Sequence, residues 1–410
     1  MLSVLAWPPV DHEEVQGKPT KHSVCGKARY EEGVDMHRRI GRITALTAFA
    51  LALVALPGTA SGGVAVGQAH PGAIYTLSNQ PDGNAVLVFA RDEDGSIALT
   101  DSVPTGGAGT GAGLGSQGAL ILSHGRLLGV DAGSNEISAF DVSDDGLTLT
   151  HLDTLSSGGV LPVSVTVDRN LLYVVNAGDA THPGNIVGFR VQANGLALIP
   201  GSERPLSADV VGPAQISFAD RGRLLIVTEK DTNLIDTYEV AADGTASGPT
   251  THPSAGTTPF GFEVRRNLLV VSEAFGGAPD ASATSSYRVG SGGSLDVISP
   301  SVETTETAAC WVVITSRGNF AYVTNTGSDT ISGYRIASNG SLWLLDPDGV
   351  TATTGDAPID MTLAMGDRYL YALNSLVPSI SGFEVHSDGS LSAMPGASGL
   401  PAGAAGLAGR

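Results

Sequence analysis

An all-β chain folded as a seven-bladed β-propeller, four antiparallel strands per blade, is predicted by three features of the sequence. The first is a sentence written twice: "NTGSDTISGYRIASNGSL" (Asn325–Leu342) and "NSLVPSISGFEVHSDGSL" (Asn374–Leu391). The second is its period. The Gly near the end of that sentence recurs at Gly95, Gly146, Gly195, Gly244, Gly293, Gly340 and Gly389, in steps of 51, 49, 49, 49, 47 and 49 residues. An aromatic stands six positions before each: Phe89, Phe140, Phe189, Tyr238, Tyr287, Tyr334 and Phe383. The third is composition, with 54 Gly, 42% hydrophobic and only 15% charged residues, which favours short strands and tight turns over long surface helices. A β-sandwich also has short strands, but nothing in it requires one spacing kept seven times.

Each unit reads as four strands. An alternating apolar stretch such as "PVSVTV" (Pro162–Val167) is followed by a turn and a β-rich run such as "LLYVVN" (Leu171–Asn176) or "FAYVTN" (Phe320–Asn325). A third strand such as "NIVGFRV" (Asn185–Val191) leads into Asp-Gly or Asn-Gly, which supply the positive φ of a tight hairpin before a variable last strand. The first motif, "AIYTLSN" (Ala73–Asn79), lacks an inner strand upstream, and the chain ends on "LPAGAAGLAGR" (Leu400–Arg410). The C-terminal strand is therefore expected to complete blade 1 and close the ring, removing an open sheet edge.

The N-terminal part reads differently. Residues 1–35 are patternless and are expected to be a non-structural upstream extension. Residues 36–60 run from the basic "MHRRIGR" through the apolar "ITALTAFALALVAL" to small residues suited to cleavage after Ala60, the order of a signal peptide. A short linker (61–72) then precedes the propeller (73–410). The mature chain is expected to be secreted, monomeric and free of the membrane. Cleavage would remove Cys25 and leave Cys310 alone, with no intramolecular disulfide. The net charge of −19 argues against nucleic acid, whose phosphates demand basic surfaces.

Blades with "YVTN"-like second strands and Asp-Gly hairpins resemble the bacterial seven-bladed propeller lactonases, which include 6-phosphogluconolactonase and the fungal carboxymuconate-lactonising enzyme. The resemblance covers about residues 71–410. It implies a hydrolase acting on a lactone or related cyclic ester at the mouth of the central channel, without cofactor. The relatives are thought to hold an anionic acid with Arg, His and Glu. Here the mouth offers mostly carboxylates and amides, with Lys230 and Arg204 the nearest cations. A non-catalytic propeller recognising a cell-wall, polysaccharide or protein partner is the alternative.

The second strands end on Asp131, Asn176, Glu229, Glu273, Asn325 and Asn374, a ring expected around one mouth of the channel. From these residues to the hairpin Gly takes 15 residues in blades 2, 4, 6 and 7, but 19 in blade 3 and 20 in blade 5, and such insertions often mark a binding face. Glu229 and Glu273 depart from the Asn or Asp of most other blades and are the expected general acid/base pair. Glu263 and His252 are placed close behind them. Asn176, His182, Gln215, Lys230, Asn325, Asp360 and Asn374 are the expected substrate-binding residues. Glu263, Gln215 and Asp360 are polar positions on innermost strands, which a wet channel would accommodate. "GLGSQG" (Gly113–Gly118) has the letters of a dinucleotide fingerprint, but a strand follows where a helix is required, so it reads as an inter-blade loop. "ACW" (Ala309–Trp311) places Cys310 in an apolar strand as an inert core thiol. No HExxH or CxxC spacing offers a metal site.

Overall fold

A computed structural model describes residues 72–410; the expected leader and upstream extension lie outside the described residues. Seven antiparallel sheets are arranged as seven blades. In blades 2 to 7 the innermost strands are Leu120–Ser123, Pro162–Asp168, Pro213–Ala219, Pro259–Arg265, Ala309–Ile314 and Pro358–Ala364. Each packs on the innermost strand of the next, and the series closes on itself through Ala405–Gly409. That last strand pairs with Gly72–Leu77, the first strand, as the sequence leads one to expect. Fourth strands are the least regular: those of blades 3 and 6 are split into Gly195–Leu198 with Arg204–Pro205, and Leu342–Leu344 with Ala352–Thr353.

The repeat letters have definite work in the packing. The seven aromatics six positions before the hairpin Gly are all buried, with exposures of 0–2%. The seven hairpin glycines all have positive φ, from 79° to 144°, which a side chain would resist. Their carbonyls have a second task. Tyr75, Tyr173, Tyr322 and Tyr371, each in the second strand of its blade, donate their hydroxyls to the carbonyls of Gly146, Gly244, Gly389 and Gly95, the hairpin glycines of the following blade, at 2.6–2.9 Å. In blade 5, Ser286 donates to the Gly340 carbonyl at 2.8 Å. Each such bond contributes about 0.5–1.5 kcal/mol net, and together they lock neighbouring blades in register. The Tyr371–Gly95 bond joins blade 7 to blade 1, so the ring is clasped there both by strand pairing and by side chain.

Candidate functional site

The ring of second-strand ends is present, and its side chains turn back into the blades. In blades 2 to 5 they hold the loop that enters the blade from the one before, and in blades 6 and 7 they bond the third strand of their own blade. Asp131 accepts from Thr105 at 2.5 Å and Asn84 at 2.9 Å, and also from Ser138. Asn176 donates to Asn185 at 2.8 Å and to the Ser157 carbonyl at 3.4 Å. Asn325 donates to Thr330 and Ser332, and Asn374 to Ser379 and Ser381, at 2.8–3.1 Å.

Glu229 and Glu273 occupy the same positions and are fully buried. Glu229 accepts the Ser207 N–H at 3.0 Å, the Ser207 hydroxyl, and the Thr232 hydroxyl at 2.7 Å. Glu273 accepts the Gly256 N–H at 2.8 Å and the hydroxyls of Ser285 and Ser301 at 2.5 and 2.6 Å. A Cβ on Gly256 would stand 2.1 Å from a Glu273 oxygen, so the loop passes there only as glycine. Burial raises the Glu273 carboxyl and the two hydroxyls hold it down. The two glutamates thus belong to two separate hydrogen-bonded networks, one in each blade.

Glu229 has a different carboxyl beside it, Asp236. The residue seven positions after the strand end is Ser138, Ser332 and Ser381 in blades 2, 6 and 7; Ser138 donates to Asp131, while Ser332 and Ser381 accept from Asn325 and Asn374. In blade 4 it is Asp236, fully buried, with no hydrogen-bond partner on either oxygen among the described residues. Burial first, and the adjacent Glu229 second, push its carboxyl up to about 8. A proton retained on Asp236 lets it donate to Glu229 as Ser138 donates to Asp131. Aligning the blades on their strand ends would have exposed this pair in the sequence.

The remaining expected residues are dispersed. His182 is exposed in the blade 3 insertion, paired with Asp179 at 3.0 Å. His252 lies within the outermost strand of blade 4, Ala246–Pro253, rather than in a connection, and its Nε2 meets the Thr237 hydroxyl at 3.1 Å. Burial lowers its pKa. Gln215, Glu263 and Asp360 are on innermost strands. Gln215 Oε1 accepts the Phe262 N–H of the next blade at 2.6 Å. Asp360 accepts the Met361 N–H at 2.8 Å, and burial holds its carboxyl well above the usual range. Glu263 is partly buried and receives no hydrogen bond from the described residues; burial pushes it up to about 7, against the Arg265 charge.

The mouth itself is covered by the segment that reads as an inter-blade loop. Residues 105–119 join blade 1 to blade 2, and their Gly-rich end crosses the channel. Ser116 bonds the Val163 carbonyl of blade 3 at 2.7 Å, and the Gln117 N–H bonds the Ala214 carbonyl of blade 4 at 2.9 Å. Lys230, stacked 4.8 Å over the Phe260 ring, donates to the Gly115 carbonyl at 2.5 Å. Trp311 of blade 6 donates to the Ser116 carbonyl at 3.0 Å.

The insertion point has a local cause. In blades 3 and 4 the third residue of the innermost strand, Ser164 or Gln215, accepts a backbone N–H from the next innermost strand (Ile216 or Phe262). In blade 5 that residue is Gly261, and Gln117 takes the vacant place, pairing with Val312 N–H and C=O at 3.0 and 2.7 Å. A Cβ on Gly261 would lie 2.2 Å from Gln117 Oε1. Replacing Gln117 by Ala leaves both Val312 groups without partners, at about 1–3 kcal/mol for each unsatisfied group. A lower melting temperature and faster hydrogen exchange at Val312 are the expected results.

A seven-bladed propeller with a capped channel and polar innermost strands is the class these observations define. The family model described as lactonase, seven-bladed beta-propeller, matches residues 285–406, from the third strand of blade 5 to the closing strand. The uncharacterized protein YwcC of Lactococcus lactis is 24% identical over 280 residues, spanning 62% of this chain and 75% of that protein. The crystal structure of a candidate 6-phosphogluconolactonase from Bacteroides fragilis superposes with a TM-score of 0.62 at 16% identity, covering 84% of this chain and 99% of that one. The periplasmic gluconolactonase of Pseudomonas aeruginosa gives a TM-score of 0.62 at 13% identity, covering 82% and 98%. At these identities the structural likeness is one of fold. The resemblance to the seven-bladed lactonase propellers holds in the family match and in the fold.

Proposed function

We propose that the chain is an exported hydrolase of a lactone or related cyclic ester, acting within the central channel with Glu263 as the titrating group. The observation that carries this reading is the state of Glu263. It is a carboxyl on an innermost strand, without a hydrogen bond from the described residues, pushed up to about 7, close to the value that suits general acid/base work at neutral pH. Glu229 and Glu273 are occupied in holding blade-entry loops.

In this mechanism the Glu263 carboxylate takes a proton from water as the water oxygen attacks the lactone carbonyl carbon. The tetrahedral intermediate collapses with cleavage of the ring C–O bond, and the Glu263 carboxylic acid returns the proton to the departing alkoxide. The product is the open hydroxy acid. Gln215, on the adjacent innermost strand, has its oxygen engaged by Phe262 and keeps its amide N–H groups for the polarised carbonyl.

The experiment is a pH-stat screen of γ- and δ-lactones with the purified protein and with Glu263→Gln. Turnover should rise with pH through about 7, as Glu263 loses its proton. The variant should lose about a hundredfold or more. An active lactone hydrolysed equally by Glu263→Gln would remove Glu263 from the chemistry. The capped mouth supports a second reading, a non-catalytic extracellular binding propeller; a panel with no turnover would favour it.

A further inference from the structure

On the face opposite the Gly-rich cap, blades 5 and 6 enclose a cleft of about 590 Å³. Its walls carry Arg265, Arg266, Arg288 and Arg317, with the amides of Asn267 and Asn319 between them. These are four of the fourteen arginines among residues 72–410, in a chain of net charge −19.

The contrast with the other blades is specific. The arginine at the turn between first and second strands has an acidic partner in four of them. Arg126 meets Asp141 at 3.0 Å, Arg169 meets Asp168 at 3.1 Å, Arg223 meets Asp220 at 2.8 Å, and Arg368 meets Glu384 at 3.7 Å. At the turns of blades 5 and 6, Arg265, Arg266 and Arg317 form no ion pair among the described residues, and Arg265 gives one N–H to the Ser316 carbonyl.

Neighbouring acids are also missing. The residue before the hairpin glycine is Asp94, Asp145, Asp243 or Asp388 in blades 1, 2, 4 and 7. In blade 6, whose hairpin borders the cleft, it is Asn339. The carboxylates that remain nearby are Glu263, which feels the Arg265 charge, Asp296, across the strand pair from Arg288, and Asp367, which accepts from the Ser316 N–H and hydroxyl.

Four exposed guanidinium groups crowded together repel one another, and the planar fork of each fits a carboxylate or phosphate through two parallel bonds. We propose that this cleft binds a ligand carrying two or more phosphate or carboxylate groups. The site is independent of the hydrolytic reading, and a chain with no lactonase activity would still bind there. In an acidic protein it is a local sink of positive potential, which focuses anions toward one sector of the ring.

Titration calorimetry of the full chain with tripolyphosphate, orthophosphate and tri-galacturonate tests this, each at low and moderate salt. A ligand carrying three or more negative charges is expected to bind at least tenfold more tightly than orthophosphate, and to weaken as salt rises. Whichever of the two polyanions binds identifies phosphate or carboxylate as the preferred group. Arg288→Ala and Arg317→Ala should each weaken binding about tenfold without moving the melting temperature. Arg→Lys at the same positions, as fold-preserving variants, should recover part of it, and Arg169→Ala in blade 3 should change nothing. Absence of binding by both polyanions, or equal binding by the native chain and the Arg288 and Arg317 variants, overturns the proposal.

Discussion

Deleting Leu400–Arg410 is expected to abolish cooperative unfolding and yield aggregating protein. The strand Ala405–Gly409 covers the edge of Gly72–Leu77, which lies innermost in blade 1 once it is gone. Leu407 and Ala408 would be lost from two different apolar clusters. Arg91, only 1% exposed, would lose the Arg410 carbonyl that accepts from its Nη2 at 3.1 Å. The guanidinium of Arg410 would also release the Ser143 and Asp144 carbonyls of the blade 2 hairpin, held at 3.0 and 2.8 Å. Losing a hydrogen bond to a charged group costs about 1.5–3 kcal/mol, a sizeable part of the roughly 5–15 kcal/mol by which domains are stable. Thermal melting with light scattering reads the result. A cooperative melt of soluble monomer at the native temperature would refute the closure model.

Replacing Asp236 by Ser, the residue of blades 2, 6 and 7, should stabilise the protein at pH 9 and alter it little at pH 5. The Asp236 carboxyl is pushed up to about 8 in the fold, whereas an unfolded Asp titrates near ~3.9. Between those values the folded chain keeps a proton that the unfolded chain has released, so stability falls as pH rises through that window. Above it, Asp236 carries a buried charge directly beside Glu229. Serine retains a donor for Glu229 and removes that charge. The gain at pH 9 should be on the order of 1–3 kcal/mol, the usual cost of a buried polar group left unsatisfied. Melting curves of both proteins from pH 5 to 9 decide it, and parallel curves would show that the pair does not titrate as described.

The architecture was legible in the sequence because the period is enforced by geometry. A hairpin with positive φ and an aromatic buried between blades recur wherever a blade recurs, so Gly95 to Gly389 and Phe89 to Phe383 announce the fold. Closure was legible because "AIYTLSN" lacks an inner strand and the tail supplies one. The site was less legible, since strand-end polarity has two physical outlets. A polar residue at the end of a second strand can face a wet mouth, or turn back to hold a loop. Glu229 and Glu273 turn back because Ser207, Thr232, Gly256, Ser285 and Ser301 present donors to them, and most of those lie in connections with little repeat signal. The crossing of the channel by Gln117 depends on the absence of a side chain at Gly261, far away in the sequence. His252 reads as loop because of its Pro neighbour, yet the ladder to Leu234–Val240 extends through it.

Gln117 also gives the channel a tethered occupant. Its amide fills the slot left at Gly261 while remaining joined to the scaffold by a short segment anchored at both ends. An intramolecular group of that kind acts at an effective concentration of roughly millimolar order. A small molecule seeking the same backbone groups of Val312 competes against that concentration before any of its own affinity registers. Weak ligands of the capped mouth would therefore pass unseen in screens of the native chain and emerge once Gln117 is shortened. The threshold for occupancy is written into the polypeptide, and only a ligand able to outbid its own covalently attached rival would gain the channel from that side.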